Sequence, residues 1–124
     1  MGGMVPTVLI VDDHADFRRF VRQLLETGGF TVVGEAADAS EARHAVLELE
    51  PEVVLLDIQL PDEDGLLLAQ ELRSSAPASA IVLTSSRERA DFGSRLERAS
   101  ASGFITKADL SPGAVAAVAG VGVG

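Results

Sequence analysis

Carboxylates, a hydroxyl and an amine follow the short apolar runs of this chain, and these are the side chains that could do chemistry. They are Asp12 and Asp13 after TVLIV, Asp57 after VVLL, Thr84 after AIVL and Lys107 after FIT. Clustered carboxylates repel one another unless protons or a cation neutralise them. Oxygen ligands suit Mg²⁺, which binds through one or two carboxylates and readily takes phosphate oxygens. A carboxylate can also attack phosphorus to form an acyl phosphate, while a lysine pairs with phosphoryl oxygens.

The apolar runs themselves predict five β-strands that alternate with helices. Most runs are continuous and rich in β-branched residues, which is typical of strands buried on both faces of a parallel sheet. The predicted strands are residues 7–11, 31–35, 53–56, 80–83 and 104–106. The predicted helices are residues 14–27, 40–49, 65–74 and 88–100, with a last weak helix over 114–118.

This alternation favours an α/β fold with a doubly wound parallel sheet. In such a sheet, ligands bind beyond the carboxyl ends of the strands, where the strand order reverses. For the flavodoxin-like order 2-1-3-4-5, that point lies between strands one and three, which carry the three aspartates. We expect a single domain over residues 1–124, with a core over 7–118, a frayed glycine-rich tail over 119–124 and no output domain.

Composition and charge argue against several classes of function. The formal net charge of −9 disfavours direct nucleic-acid binding, because DNA affinity depends on lysines and arginines that neutralise phosphates. The first four residues, MGGM, lack the basic region and apolar core of a signal peptide, and the apolar tail over 113–124 is too short to span a bilayer. The chain has no cysteine, which fits a reducing compartment, so we expect a cytoplasmic protein without a membrane contact.

The ordered motifs resemble the receiver domain of two-component response regulators. The residues that carry the resemblance each lie at the end of a predicted strand, and they are Asp12-Asp13, Asp57, Thr84-Ser85 and the segment GFITK at 103–107. The loop LPDEDG at 60–65 is similar to the family's proline-containing loop before the third helix. The resemblance covers residues 8–110 and implies the flavodoxin-like (βα)5 fold of that family.

The resemblance implies a role for each of these side chains. Asp57 would accept a phosphoryl group from a histidine kinase or a phosphotransfer protein. Asp13 would bind Mg²⁺ directly, and Asp12 would bind it through water. The backbone carbonyl of Gln59 would be a further ligand of the ion, and Lys107 would pair with the phosphoryl group.

The resemblance also implies a switch. Thr84 would bond a phosphoryl oxygen and shift on phosphorylation, and the rotamer of Phe104 would follow it. The change would reach the face built by the fourth helix, the fifth strand and the fifth helix, which is also the expected surface for a homodimer. Such a module would catalyse only its own phosphotransfer and slow dephosphorylation, so it would not be an enzyme for an outside substrate. The downstream protein partner or output domain is left open.

Three other functions match parts of the pattern. A degenerate receiver would act by protein binding alone, without taking phosphate. A Mg²⁺-dependent phosphohydrolase of the haloacid-dehalogenase type would carry Asp-x-Asp after its first strand, whereas Asp12 and Asp13 are adjacent. A flavodoxin-like flavin binder would have a loop rich in Ser, Thr and Gly after strand one, where this chain has Asp12-Asp13-His14.

Other charged residues have a plainer interpretation. His14 and His44 lie in helical windows, and we expect them at the surface or its boundary, not as ligands. Residues 62–64 predict a solvated acidic loop that ends in turn chemistry at Asp64-Gly65. A solvated basic face around the fourth helix is predicted from Arg87, Arg89, Arg95 and Arg98.

Overall fold

The structure is a computed structural model, and it describes residues 5–122 of the 124-residue chain. The strands are β1 (Thr7–Val11), β2 (Thr31–Ala36), β3 (Val53–Asp57), β4 (Ala80–Ser85) and β5 (Gly103–Thr106). The helices are α1 (Ala15–Thr27), α2 (Ala39–Leu49), α3 (Gly65–Ser75), α4 (Arg95–Arg98) and α5 (Pro112–Ala119). The signal-peptide interpretation of residues 1–4 and the last two residues of the predicted tail lie outside the described part. No helix within residues 5–122 is long and apolar enough to cross a membrane.

The five strands form one parallel sheet in the order β2-β1-β3-β4-β5, which confirms the predicted doubly wound topology. Every adjacent pair is parallel, and β3 pairs with β4 up to its last residue, where Asp57 lies opposite Thr84. The carboxyl ends of all strands therefore lie at one edge of the sheet. Strand order reverses between β1 and β3, and this is the point at which such folds bind ligands.

Two apolar clusters cover the two faces of the sheet. Successive side chains of a strand point to opposite faces, so Leu9 and Val11 join the cluster beneath α2 and α3. Val8 and Ile10 join the cluster beneath α1 and α5. These strand residues are 0–1% exposed, and full burial of such a side chain contributes about 1.5–3 kcal/mol. This double burial explains why the strand sequences are continuously apolar, and it holds the strand ends rigid.

Helix α1 buries a narrower stripe than its sequence predicts. Val21 and Leu25 are buried, and Phe17 packs half-buried against the same cluster. Helical spacing predicts that Phe20 belongs to the same apolar stripe, but Phe20 is 60% exposed. The helix contacts the sheet along positions four residues apart, and Phe20 is rotated out of that line.

The prediction of one long helix over residues 88–100 is wrong. A 3₁₀ turn covers Arg89–Asp91, and α4 is a single turn over Arg95–Arg98. Gly93 between them has φ of 56°, a left-handed conformation that interrupts the helical hydrogen bonds. Helical spacing predicts Phe92 and Leu96 as the apolar positions of this segment, and both are nevertheless buried in the core.

Helix α5 is longer than predicted because its start is well capped. The Ser111 side chain accepts a hydrogen bond from the Ala114 N–H, and Pro112 is at the first helical position. Gly120 then ends the helix with φ of 75°. The helix therefore includes Ala119, the first residue of the range 119–124 that was predicted to be a frayed tail.

The acidic loop over residues 62–64 is exposed to partly exposed, as predicted for a solvated loop, and hydrogen bonds also hold it in place. Asp62 accepts from two backbone N–H groups at the start of α2, at 3.0 and 3.3 Å. Both carboxylate oxygens of Glu63 accept from Arg43 of α2 at 2.6 Å. Asp64 caps α3 by accepting from the Leu66 N–H at 2.9 Å. The loop that follows β3 is thus tied to both helices on that face.

Gly65 is required where α3 starts against the end of β3. A Cβ at this position would lie 2.5 Å from the Asp57 carbonyl oxygen and 2.6 Å from the Ile58 Cα. Both are backbone atoms that cannot move aside without shifting Asp57. We expect Gly65→Ala to lower the free energy of unfolding by about 1–3 kcal/mol, measured by chemical denaturation.

Gly113→Ala is the matched control for this prediction. Gly113 lies in α5, and nothing lies within 4 Å of its added Cβ. Alanine is the better helix former by about 1 kcal/mol, so this variant should be at least as stable as the parent chain. Equal stability of the two alanine variants would contradict a steric requirement at Gly65.

Candidate functional site

The carboxyl ends of β1, β3 and β5 bring two carboxylates and one ammonium into direct contact. Asp57 is the last residue of β3, Asp12 follows β1 directly, and Lys107 follows β5. Lys107 Nζ lies 2.6 Å from Asp12 Oδ2 and 3.1 Å from Asp57 Oδ2. Asp12 and Asp57 are 1% and 2% exposed, so this ion cluster is almost removed from water. One positive charge therefore faces two buried negative charges.

Asp13 and His14 complete a group of donor atoms at this end of the sheet. One donor atom from each of Asp12, Asp13, His14 and Asp57 lies within 4.8 Å of the others. His14 Nδ1 lies 3.0 Å from Asp12 Oδ1 and 3.1 Å from Asp13 Oδ1. His14 is 68% exposed, as predicted for a surface residue, and its ring nitrogen lies within this group. Its position next to the aspartate pair was the only sequence signal for that placement. That it is not a ligand stays a prediction.

The contacts among Asp12, Asp57 and Lys107 shift the pKa of each of these three residues. The pKa of Asp57 is raised to about 6, because burial and the neighbouring Asp12 carboxyl outweigh the Gln59 N–H and the Lys107 ammonium. Burial acts in the same direction on Asp12, but hydrogen bonds with Asp57 and Lys107 lower its pKa overall. Burial opposes the charge of Lys107, yet Asp12 and Asp57 raise its pKa. At neutral pH, Asp57 is therefore an ionised carboxylate whose charge is poorly compensated.

Gln59 lies beside Asp57 through both its backbone and its side chain. Its N–H donates to Asp57 Oδ1 at 2.9 Å, and its side-chain Oε1 accepts from Ser85 Oγ at 3.3 Å. The Arg87 N–H donates to the same Ser85 hydroxyl at 3.1 Å. The hydrogen bond between Gln59 and Ser85 thus links the segment after β3 to the end of β4, next to Asp57. A role for the Gln59 carbonyl as a metal ligand stays a prediction.

Thr84 carries an unsatisfied polar atom next to Asp57. Its residue is 1% exposed, and its hydroxyl has no hydrogen-bond partner among the described residues. Leaving a buried hydroxyl unpaired costs about 1–3 kcal/mol, so such an atom calls for a functional explanation. A phosphoryl oxygen on Asp57 would supply the missing acceptor from the neighbouring strand.

Thr84→Val is therefore expected to raise the free energy of unfolding of the unphosphorylated chain by about 1 kcal/mol. Valine has nearly the same shape and removes the unpaired hydroxyl. Urea denaturation without a phosphodonor measures the change, and Thr84→Ser, which keeps the hydroxyl, is the comparison. A valine variant less stable than the serine variant would show that the Thr84 hydroxyl is satisfied in solution.

Phe104 lies inside the protein in this structure. It is 8% exposed, and its ring meets Phe92 edge to face with ring centroids 5.8 Å apart. The Arg89 guanidinium lies 5.4 Å from the Phe104 ring centroid, and Arg95 forms an ion pair with Asp64. Both arginines are exposed, as predicted for a solvated basic face, and each also contacts a neighbouring side chain. A coupled movement of Thr84 and Phe104 stays a prediction.

Two residues of α1 that the sequence analysis did not assign to the site contact it. The Phe17 ring centroid lies 4.1 Å from Lys107 Nζ. Arg18 donates from its guanidinium to the Asp12 carbonyl oxygen at 2.7 Å and to Glu35 Oε1 at 2.9 Å. Helical periodicity predicts only that Phe17 belongs to an apolar stripe and that Arg18 lies outside it. No local pattern signals that either residue reaches a side chain or carbonyl at a strand end.

The sequence of this chain matches a known protein family. Residues 8–116, most of the chain, match the family described as the response regulator receiver domain. This chain belongs to that family. The resemblance inferred from the strand-end residues is thereby confirmed, and receiver domains are phosphosignalling modules.

The receiver domain has relatives with different outputs. This chain is 38% identical over 101 residues to the response regulator GacA of Pseudomonas viridiflava. The match covers 81% of this chain and 47% of GacA. This chain is also 42% identical over 91 residues to a protein-glutamate methylesterase/protein-glutamine glutaminase of Anaeromyxobacter dehalogenans, covering 73% of this chain and 26% of that protein. The chain thus spans about half or less of the length of these curated relatives.

A solved structure gives the same result for the receiver fold. A two-component response regulator of the LuxR family from Aurantimonas sp. SI85-9A1 superposes with a TM-score of 0.82 and 32% sequence identity. The match covers 95% of this chain and 88% of that one. The flavodoxin-like arrangement of the strand ends is therefore a property of the family fold.

Proposed function

We propose that this receiver domain is switched by phosphorylation of Asp57, with a histidine kinase or a phosphotransfer protein as donor. The observation that carries the proposal is the convergence of Asp57, Asp12 and Lys107 at one sheet edge, next to the unpartnered Thr84 hydroxyl. Asp57, whose raised pKa reflects burial beside a second carboxyl, and the unpaired Thr84 hydroxyl would both be better satisfied with a phosphoryl group and a cation present. The same features disfavour a degenerate receiver, which would have no need of them.

The donor set fits Mg²⁺. The carboxylates of Asp12, Asp13 and Asp57 lie within reach of one ion, and carboxylate oxygens are the ligands this hard cation prefers. Asp13 and Asp57 would hold the ion, with Asp12 acting through water and the Gln59 carbonyl as a further ligand. When bound, Mg²⁺ would neutralise the carboxylates and let an anionic nucleophile approach an anionic donor.

The side chains of the chain itself supply the rest of the transfer. An Asp57 carboxylate oxygen attacks phosphorus, forming an acyl phosphate as the bond between phosphorus and the donor's leaving atom breaks with its electron pair. Lys107 turns from Asp57 to the new phosphoryl oxygens while Asp12 keeps it in place. The Thr84 hydroxyl donates to a phosphoryl oxygen and gains the partner it lacks.

The output follows from the movement of Thr84 and the aromatic packing next to it. A shift of Thr84 would change the space available to Phe104 and so the surface around β5, α5 and the short α4. We propose that a downstream protein, an attached output domain or a second copy of the chain reads this surface. On this proposal the chain acts in the cytoplasm, is not an enzyme for an outside substrate, and has no direct contact with nucleic acid or membrane.

The test is the intact mass of the protein after incubation with acetyl phosphate and Mg²⁺. We expect one added phosphoryl group in the parent chain and in Asp16→Asn, whose 96% exposed carboxylate lies outside the cluster. We expect none in Asp57→Asn or in the presence of a chelator. A folded parent chain that neither gains mass nor binds Mg²⁺ would instead be a degenerate receiver.

A further inference from the structure

The ammonium of Lys107 has an aromatic contact that the phosphoryl-transfer scheme does not use. Phe17 of α1 presents its ring to Lys107 Nζ, with 4.1 Å between the nitrogen and the ring centroid. We propose that Phe17 is a positioning residue, which holds the Lys107 ammonium beside Asp57 through a cation–π interaction. This inference rests on the proposed function, because positioning of Lys107 matters only if Asp57 receives a phosphoryl group.

The surroundings of the ammonium make such a contact effective. Lys107 is 17% exposed in its side chain, and two of its contacts are the buried carboxylates of Asp12 and Asp57. A cation–π attraction is strongest when the cation is partly removed from water. The Phe17 ring covers part of the ammonium and excludes water from that side. Its other contacts are with the apolar cluster beneath α1, which fixes the ring in place.

A ring has an advantage over a third carboxylate as a partner for this lysine. A carboxylate would compete with an incoming phosphoryl group for the ammonium hydrogens and would add to the repulsion between Asp12 and Asp57. The face of an aromatic ring attracts the cation without accepting a directed hydrogen bond of comparable strength. The ammonium can therefore turn from Asp57 to a phosphoryl oxygen while it keeps contact with Phe17.

The first turns of α1 fix the ring relative to the rest of the cluster. Arg18, the next residue, donates to the Asp12 carbonyl oxygen at 2.7 Å and to Glu35 at the end of β2 at 2.9 Å. The helix that carries the Phe17 ring is thereby tied to the backbone of the residue that accepts from Lys107. The ring, the ammonium and Asp12 form one unit held by α1, β1 and the segment after β5.

The contact can be observed directly because Lys107 is the single lysine of the chain. Labelling with ¹³C-lysine gives one side-chain Cε–Hε signal in an NMR spectrum of the full chain. The Phe17 ring current should displace this signal upfield, and Phe17→Leu should abolish the displacement. Phe20→Leu, on the exposed side of the same helix, should leave it unchanged. A Lys107 signal that is the same in Phe17→Leu and the parent chain overturns the proposal.

The kinetics of phosphorylation then distinguish the electrostatic attraction between the Phe17 ring and Lys107 from the simple packing of the Phe17 side chain. With acetyl phosphate and Mg²⁺, we expect Phe17→Leu to slow phosphoryl acceptance about 3- to 30-fold, the fold-change that corresponds to a partly shielded cation–π pair. Phe17→Tyr keeps the ring and should restore the rate. Pentafluorophenylalanine placed at residue 17 keeps the shape but reverses the ring's electrostatics, so it should be as slow as leucine.

The outcomes distinguish this inference from the proposed function. A pentafluorophenylalanine variant as fast as the parent chain, with equal stability to denaturant, overturns the electrostatic role of Phe17 and leaves Asp57 chemistry intact. A parent chain that takes no phosphoryl group overturns the proposed function, and the lysine NMR signal still decides whether the ring holds the ammonium.

Discussion

Asp57→Asn is expected to abolish phosphoryl acceptance and, in Mg²⁺-free buffer at neutral pH, to raise the free energy of unfolding by about 2 kcal/mol. The gain arises because the folded chain holds the Asp57 carboxylate buried next to a second carboxylate, with one ammonium between them. Asparagine keeps the size and removes the charge. The residue that would do the chemistry is thus one that the fold holds at a cost in stability.

The pH dependence of stability gives the same prediction a second test. Asp57 has a folded pKa of about 6 against its usual 3.8, so between these values the folded chain binds more protons than the unfolded chain. Stability therefore falls as pH rises from about 4 to about 6, and the ionised group costs up to about 3 kcal/mol above that window. The lowered pKa of Asp12 acts in the opposite direction, but only as pH falls below 3.8.

Chemical denaturation at several pH values measures both effects. The parent chain should become more stable when the pH is lowered from 7 to 5, and Asp57→Asn should lose most of this dependence. Asp16→Asn, which removes an exposed carboxylate of α1, should behave like the parent chain. A parent chain whose stability does not change between pH 5 and 7 would show that Asp57 titrates near its ordinary pKa.

Lys107→Met is expected to have the opposite effect on stability and to slow phosphoryl acceptance. Methionine keeps much of the side-chain length but leaves Asp12 and Asp57 facing each other without their shared cation. Removal of one partner of a buried ion pair costs about 3–5 kcal/mol, and the partial exposure of Lys107 reduces this to about 2–3 kcal/mol. Loss of one preorganised donor at the phosphoryl oxygens should lower the rate of transfer about 10- to 100-fold.

Mg²⁺ and a second substitution test the electrostatic origin of this loss. Saturating Mg²⁺ should restore most of the stability of Lys107→Met, because the ion supplies the missing positive charge. Adding Asp57→Asn to Lys107→Met should also recover stability, since a single buried carboxylate then remains. Lys107→Arg keeps the charge and serves as the control. A methionine variant that is as stable as the parent chain without Mg²⁺ would refute the view that Lys107 neutralises the two carboxylates.

The sheet could be predicted from the sequence because strands that are buried on both faces have continuously apolar sequences. Continuous β-branched apolar runs are typical of strands covered by helices on both faces, and their alternation with helical windows predicts a parallel sheet. Parallel strands have their carboxyl ends at one edge, so the residues after each run had to lie near one another. The family resemblance of those residues is confirmed, as is the flavodoxin-like fold. Their chemical roles remain predictions.

The helices show where periodicity is not sufficient. The window over 88–100 has the apolar spacing of a helix, and Phe92 and Leu96 are buried as expected, yet Gly93 adopts a left-handed conformation between them. Glycine permits that conformation without requiring it, so the break depends on the surrounding structure. In α5 the sequence held more information than periodicity showed, because Ser111 and Pro112 form a recognisable helix start.

The sequence by itself determined which chemical groups stand at the carboxyl edge of the sheet, because strand ends are set by local hydrophobic pattern. Only the tertiary structure decided which of those groups touch. Lys107 and Asp12 are 95 residues apart in the chain, and they meet because β5 and β1 end at the same edge of one sheet. The unpaired Thr84 hydroxyl and the Phe17 ring against Lys107 likewise depend on side-chain packing between elements. Such contacts form between segments that are distant in sequence. Local secondary-structure propensity, which depends on neighbouring residues, therefore cannot predict them.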